Sequence, residues 1–221
     1  MELNLERIIA VCGHYGSGKT NLSVNLALEL AKQGKHVTVS DLDIVNPYFR
    51  TADFSGLMAE HGIRLVCPQY ANTNLDIPVL PPMLGAAIRT PDQTVLIDVG
   101  GDDDGAVALG GFARNMEQEG YSMLYVVNRC RYLEEKVEEE AILLRAVEAA
   151  SRLKVSYLVN TTNLGPETTL ETILGSMDYL RKVSEAVGVP ILCTAARRDL
   201  ADGIPGPVLP IDVFVKAPWE R

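Results

Sequence analysis

Seven runs of apolar or β-branched residues punctuate the chain: RIIAVCG (7–13), HVTVSDLD (36–43), IRLVCP (63–68), TVLIDVG (94–100), SMLYVVN (122–128), VSYLVNTT (155–162) and PILCTAA (190–196). They are apolar at consecutive rather than alternate positions, the mark of strands buried on both faces of a parallel sheet. Amphipathic segments lie between them. Leu22, Leu26 and Leu30 recur every fourth residue between Lys19 and Lys32, with Gly34 where a helix would stop. Between Thr168 and Val187 the apolar positions fit one helical face, and Thr168 and Glu171 have the spacing of a capping box. Residues 133–154 begin acidic and end basic, which suits a helix dipole. Repeated strand–helix–strand order predicts an α/β fold. The expected architecture is three-layered and doubly wound, a mainly parallel sheet of about seven strands with helices on both faces.

Composition narrows the class. The 221 residues are 47% hydrophobic and 22% charged, ordinary for a folded globular chain. No short-period repeat or Pro/Gly/Ser-rich linker divides them, so residues 1–221 read as a single domain. A formal net charge of −9 without a basic run argues against nucleic acid and anionic membranes as partners. The N-terminus has no charged-then-apolar leader and no apolar stretch approaches the ~18 residues of a membrane span, which predicts a cytoplasmic protein. The four cysteines are scattered, without a C-x-x-C pair, and read as reduced, mostly buried thiols.

Ligands of doubly wound sheets gather at the carboxyl ends of the strands. After the first run stands GHYGSGKT (13–20), a G-x-x-x-x-G-K-[ST] phosphate loop that opens the first helix. Gly13, His14, Tyr15, Gly16, Ser17, Gly18, Lys19 and Thr20 are therefore expected to bind nucleotide phosphate. The glycines let backbone N–H groups turn inward, Lys19 reaches the β- and γ-phosphates, and the Thr20 hydroxyl coordinates Mg²⁺.

Two later strand ends carry carboxylates. Asp41 and Asp43, two residues apart, point the same way on a strand, one toward a metal and one toward an attacking water; a solvated turn before Pro47 is the other reading. VLIDVGG (95–101) is a Walker B pattern in which Asp98 supports Mg²⁺ opposite Thr20, and Gly100 and Gly101 begin a loop able to follow the γ-phosphate. The run Asp102-Asp103-Asp104 reads as a helix start rather than a second metal site.

Together, the phosphate loop, D-x-D and the aspartate–glycine element resemble the MinD/ParA/Mrp group of ATPases, with the nitrogenase iron protein and dethiobiotin synthetase in the wider class. DLDIVNPYFR resembles the first switch of Mrp and MinD proteins, and YVVNRCR the segment after the fifth strand. YLVNTTNLG resembles the strand end whose asparagine, here Asn160, contacts adenine, and TAARRDLADGIPGPVLP the stretch that closes over the base. The resemblance implies ATP and Mg²⁺ as cofactors, with Lys19 on the β- and γ-phosphates, Thr20 and Asp98 on the metal, and Asp43 activating water. It also implies a nucleotide-dependent homodimer.

The chain departs from the family at one position. The deviant loop of that group reads G-K-G-G-x-G-K-[ST], and its first lysine crosses to the partner's phosphates; here the position is His14. Histidine is shorter than lysine and not a permanent cation at neutral pH, which argues against activation by that route. Arg50, Arg114 and Arg129 are candidate replacements, each with a surface role as the plainer reading. His14 and Tyr15 otherwise shape the loop, with Tyr15 packed over it.

Two functions of different class follow from the resemblance. One is an ATP-driven switch acting on an unidentified protein or metallocofactor partner. The other is a small-molecule kinase or ligase of the dethiobiotin-synthetase type, its substrate lined by CPQYANTNLDIPVLPPM (67–83) with Asn72, Asn74 and Asp76. A protein that holds nucleotide without turnover is a third. The family's C-x-x-C is absent, although Cys12, Cys67 and Cys193 all lie near strand ends. ATP is favoured over GTP because no N-K-x-D follows a late strand, NTTN (160–163) being the nearest approach.

Overall fold

The computed structural model describes residues 3–42, 51–66, 82–101, 103–131 and 136–215. Its strands are β1 (Ile8–Gly13), β2 (Val37–Leu42), β3 (Arg64–Val66), β4 (Thr94–Val99), β5 (Ser122–Val127), β6 (Tyr157–Asn160), β7 (Ile191–Arg197) and β8 (Val208–Ile211). Its helices are α1 (Lys19–Lys32), α2 (Ser55–Glu60), α3 (Pro82–Ile88), α4 (Asp103–Gly110), α5 (Ala113–Glu119), α6 (Val137–Ser151) and α7 (Leu170–Val187). The strands form one sheet in the order β3-β2-β4-β1-β5-β6-β7-β8, and every adjacent pair is parallel.

Strand number exceeds the expected seven by β8. This strand has four residues, follows Pro207 and contains Pro210. Proline lacks the N–H that a central ladder needs but is tolerated at a sheet edge, where β8, among the described residues, pairs with β7 alone.

β1 accounts for the layering. All six of its residues are buried. Ile8, Ala10 and Cys12 join a core completed by Leu84, Leu109, Met116, Leu144 and Leu180 from α3 to α7. Ile9 and Val11 point the other way, into a core formed with Leu22, Leu26 and Leu30 of α1 and Met58 of α2. Alternate side chains of a strand leave opposite faces, so an unbroken apolar run serves two helical layers at once.

Helix ends differ from the sequence reading in two places. α7 is capped by Thr169, not Thr168: the Thr169 hydroxyl accepts from Thr172 N–H at 3.2 Å, and Thr172 Oγ1 accepts from Thr169 N–H at 3.4 Å. Thr168 Oγ1 is already committed, accepting from Leu164 N–H and donating to Gly165 O. The basic end of the 133–154 segment lies beyond α6. Arg152 takes a left-handed conformation (φ 60°) just past the helix and donates to Gly110 O at 2.5 Å, while Lys154 pairs with Glu148 at 3.0 Å. The acidic first turn, Glu138 to Glu140, is as expected.

Beyond β8, residues 212–215 run along α1. Asn25 exchanges hydrogen bonds with the Asp212 backbone, donating to its carbonyl and accepting from its N–H at 2.8 Å each. Asn21 Oδ1 accepts from Phe214 N–H at 2.9 Å and from Val215 N–H at 3.2 Å. The Phe214 ring meets Phe54 edge-on, centroids 6.3 Å apart. Among the described residues, no helix is long and apolar enough to cross a membrane.

Candidate functional site

The glycine loop joins β1 to α1 at the carboxyl edge of the sheet. Gly13 (φ 143°) could carry no side chain, because a Cβ would lie 2.6 Å from Val126 O on neighbouring β5. Gly16 (φ 70°) and Gly18 (φ 99°) take the left-handed region that glycine favours. Gly18 is also the N-cap of α1, and no side chain caps this end. The first-turn N–H groups of a 14-residue helix therefore face the loop, adding positive potential where an anion would sit.

The loop is braced from three sides. Lys19 is buried and its Nζ donates to His14 O at 3.0 Å, folding the ammonium back across the loop. Thr161 Oγ1, past the end of β6, donates to Ser17 O at 2.6 Å. The third brace is Gly101, after β4. A Cβ there would fall 2.7 Å from Tyr15 Cα and 2.8 Å from Lys19 Nζ, so the aspartate–glycine loop lies directly against the phosphate loop. Ser17 Oγ is buried with no hydrogen-bond partner among the described residues.

His14 Nδ1 lies 3.1 Å from Tyr15 O. The Tyr15 side chain does not pack over the loop as expected: it is 52% exposed, and it is the Tyr15 backbone that is covered, by Gly101.

On the acidic side, Asp41 and Asp98 are register partners on adjacent β2 and β4, both buried. Asp98 Oδ1 accepts from Ser23 Oγ at 3.1 Å and Oδ2 from Thr51 Oγ1 at 2.6 Å. Burial pushes the Asp98 carboxyl above the ordinary aspartate range; the Thr51 hydroxyl, the Lys19 charge and the Thr20 and Ser23 hydroxyls pull it back down. Thr20, Lys19 and Asp98 are thus brought together as the motif spacing requires. Asp43 lies outside the described residues, as do Arg50, Cys67, Asn72, Asn74, Asp76 and Asp102. α4 begins at Asp103, within the aspartate run.

At the end of β6, Asn160 is buried. Its Nδ2 donates to Ser176 Oγ at 3.0 Å and its Oδ1 accepts from Thr162 N–H at 3.1 Å, leaving one further N–H and one lone pair. Neither described arginine nominated to replace the missing lysine reaches the loop. Arg114 is exposed on α5, and Arg129 turns to α7, donating to Gly175 O with its guanidinium 5.7 Å from the Tyr179 ring centre. Among the described residues, Arg131 does reach it, its Nε donating to Gly16 O at 3.0 Å.

Arg131, Thr161, Ser23 and Thr51 were the residues missed by sequence reasoning. Arg131, the last residue of YVVNRCR, and Thr161, inside the NTTN stretch, lay in segments already singled out, though neither residue was. Cys12 and Cys193 do not approach one another: they face opposite cores, and three strand spacings, about 14 Å, separate β1 from β7. Among the described residues, no group of three His, Cys, Asp or Glu side chains is placed to hold a metal.

A family model for the CobQ/CobB/MinD/ParA nucleotide binding domain matches residues 8–187. Among solved structures, cell division protein FtsY from Thermotoga maritima is similar with a TM-score of 0.59 at 17% identity, over 86% of this chain and 63% of that one. The signal recognition particle receptor FtsY from Elizabethkingia anophelis gives 0.59 at 20% identity, over 88% and 59%. The signal recognition particle 54 kDa protein from Aeropyrum pernix, in complex with GDP, gives 0.55 at 15% identity, over 85% and 40%. Identities this low establish a shared fold, and the chain spans less than two thirds of the length of each of these proteins. A comparison with curated proteins finds no match.

Proposed function

Because the chain belongs to the CobQ/CobB/MinD/ParA nucleotide-binding domain family, we propose that it is a Mg²⁺-dependent ATP-binding protein and ATPase that works as a MinD/ParA-like switch on a protein or metallocofactor partner. The observation that carries this reading is the contact of Gly101 with the Tyr15 backbone and Lys19 Nζ. A γ-phosphate entering the loop must share that space, so the segment after Asp98 moves or stays according to which nucleotide is bound. Nucleotide state becomes a backbone displacement, which is what a switch transmits.

Within this reading Gly13 to Thr20 cradle the phosphates and Lys19 leaves His14 O for the β- and γ-oxygens. The residues suit a hard cation. Asp98 is a buried carboxylate surrounded by hydroxyls, the oxygen donor set that Mg²⁺ prefers. Thr20 would hold the ion directly, Asp98 would orient its shell, and Asp43 would complete the set and orient the attacking water. When bound, the ion neutralises charge on the phosphate oxygens. Asn160 would offer its remaining N–H and lone pair to adenine. ATP is preferred because NTTN lacks the lysine and aspartate of N-K-x-D.

The test is phosphate release with ATP and with GTP for the intact protein and for Lys19→Ala, with molecular mass measured with and without nucleotide. ATP-dependent release abolished by Lys19→Ala, with a nucleotide-dependent change in mass, supports the switch. ATP that neither binds nor alters the mass sinks it, and turnover only with an added metabolite points to the kinase class.

A further inference from the structure

The phosphate loop of this chain has a second cation that its motif does not encode. Arg131 closes a 3-10 turn, Arg129–Arg131, directly after β5. The turn is pinned independently of the arginine side chain. Asn128 Oδ1 accepts from both Cys130 N–H (3.1 Å) and Asn163 N–H (3.2 Å), and Thr162 Oγ1 accepts from Arg129 N–H (3.2 Å). From this fixed base the guanidinium lies across Gly16, its Nε on the Gly16 carbonyl at 3.0 Å. The approach is so close that a Cβ on Gly16 would overlap the guanidinium.

Three features meet on this part of the loop. Gly101 and Lys19 Nζ adjoin the Tyr15 backbone, and Arg131 covers the next residue. A phosphate-loop lysine reaches toward the terminal phosphates, so Arg131 stands at the same end of the anion. The Nε bond occupies one of five guanidinium N–H groups, and the two Nη atoms make no ion pair with any described carboxylate. A guanidinium held by one N–H, whose fork meets no carboxylate among the described residues, is matched to a second, planar acceptor, and phosphate oxygens are such an acceptor.

We infer that Arg131 binds the terminal phosphate of a nucleoside triphosphate in cis, pivoting on Gly16 and supplying a permanent cation to a loop that carries His14 in place of lysine. The inference rests on the phosphate-site reading above and adds its specificity. A nucleoside diphosphate, lacking the terminal group, gains less from the same arginine.

The experiment is calorimetric titration of β,γ-imido-ATP and of ADP, each with Mg²⁺, into wild type, Arg131→Ala, Arg131→Lys, Arg181→Ala and Lys19→Ala. Loss of one charge-assisted contact weakens the imido analogue about tenfold in Arg131→Ala while ADP changes by less than about threefold. Lysine at 131 recovers part of the loss. Arg181, an exposed arginine paired with Asp178 and Glu185 on α7, controls for net charge and leaves both affinities unchanged. Equal loss for both nucleotides, or none for either, overturns the inference while leaving the phosphate site intact. Wild type that binds neither nucleotide, or Lys19→Ala that binds like wild type, overturns the phosphate-site reading itself.

Discussion

Gly101→Ala is the sharpest probe of the contact on which the switch reading depends. Gly101 does not need glycine for its backbone angles, since its φ is not in the positive region, so the substitution tests space alone. The added methyl would sit 2.7 Å from Tyr15 Cα, 2.8 Å from Lys19 Nζ and 2.9 Å from Tyr15 N. An ordinary carbon–carbon contact begins near 3.5 Å, so one of the two loops must retreat by about 0.8 Å. The Lys19 end can swing away, but the Tyr15 backbone cannot without disturbing the phosphate loop. Overpacking of this kind costs about 1–3 kcal/mol, and for a chain of this size that lowers the midpoint of thermal unfolding by about 2–12 °C. Gly175→Ala is the matched control: a Cβ there meets nothing within 4 Å, and the residue is inside α7. Alanine at that helical site stabilises by about 0.5–1 kcal/mol. Thermal unfolding followed by circular dichroism, without nucleotide, should move the two variants in opposite directions. A Gly101→Ala midpoint indistinguishable from wild type would refute the close approach and remove the main support for the switch.

Two further predictions concern buried ionisable groups. Glu140 is buried on α6 and accepts from Tyr125 OH at 2.8 Å; burial raises its carboxyl above the ordinary glutamate range, with the Tyr125 hydroxyl, the His14 charge and the Tyr179 hydroxyl opposing. An acid with a raised folded-state pKa binds its proton more readily in the fold, so the folded protein loses stability as pH rises through that value. Glu140→Gln keeps an acceptor for Tyr125 and removes the ionisation. The variant should be more stable than wild type at pH 7 and lose that advantage below about pH 4; denaturant midpoints across pH check this, and an advantage independent of pH contradicts it. Burial also pushes the Cys12 and Cys193 thiols up to about 12, whereas Cys130 is partly exposed. Iodoacetamide at pH 8 followed by peptide mass mapping should find Cys130 modified in the native protein and Cys12 and Cys193 only after unfolding. Native labelling of Cys12 as fast as Cys130 would contradict the burial.

What the sequence revealed and what it hid have different physical origins. The seven β-branched runs were legible because a strand buried on both faces must be apolar at successive positions, a constraint written within six or seven residues. β8 carries no such constraint: it is short, lies at the edge and holds Pro210 without cost. GHYGSGKT and Asp98 were legible because the glycines, lysine and Walker B aspartate are tied to local geometry. The braces are not local. Thr51 meets Asp98 across 47 residues, Ser23 across 75, Arg131 meets Gly16 across 115 and Thr161 meets Ser17 across 144. Threonine, serine and arginine are common, and even where the segment stands out, as in YVVNRCR and NTTN, nothing local says which residue turns to the loop. Arg129 was a candidate and Arg131 was not, because only the turn after β5 shows that Arg129 is aimed at α7 and Arg131 at the loop.

The strap of residues 212–215 along α1 also bears on how the protein acquires its site. Its hydrogen bonds join residues 187 to 194 positions apart, among the longest closures the chain can make. Contacts of such separation carry the largest loop-closure entropy and depend on the intervening topology being in place. The helix that begins with Lys19 and Thr20 therefore receives its outer support only when residues 212–215, past β8, arrive. During synthesis the phosphate loop emerges nearly 200 residues before this strap, yet the helix behind it is finished only by the strap, which couples completion of the sheet to completion of the nucleotide site.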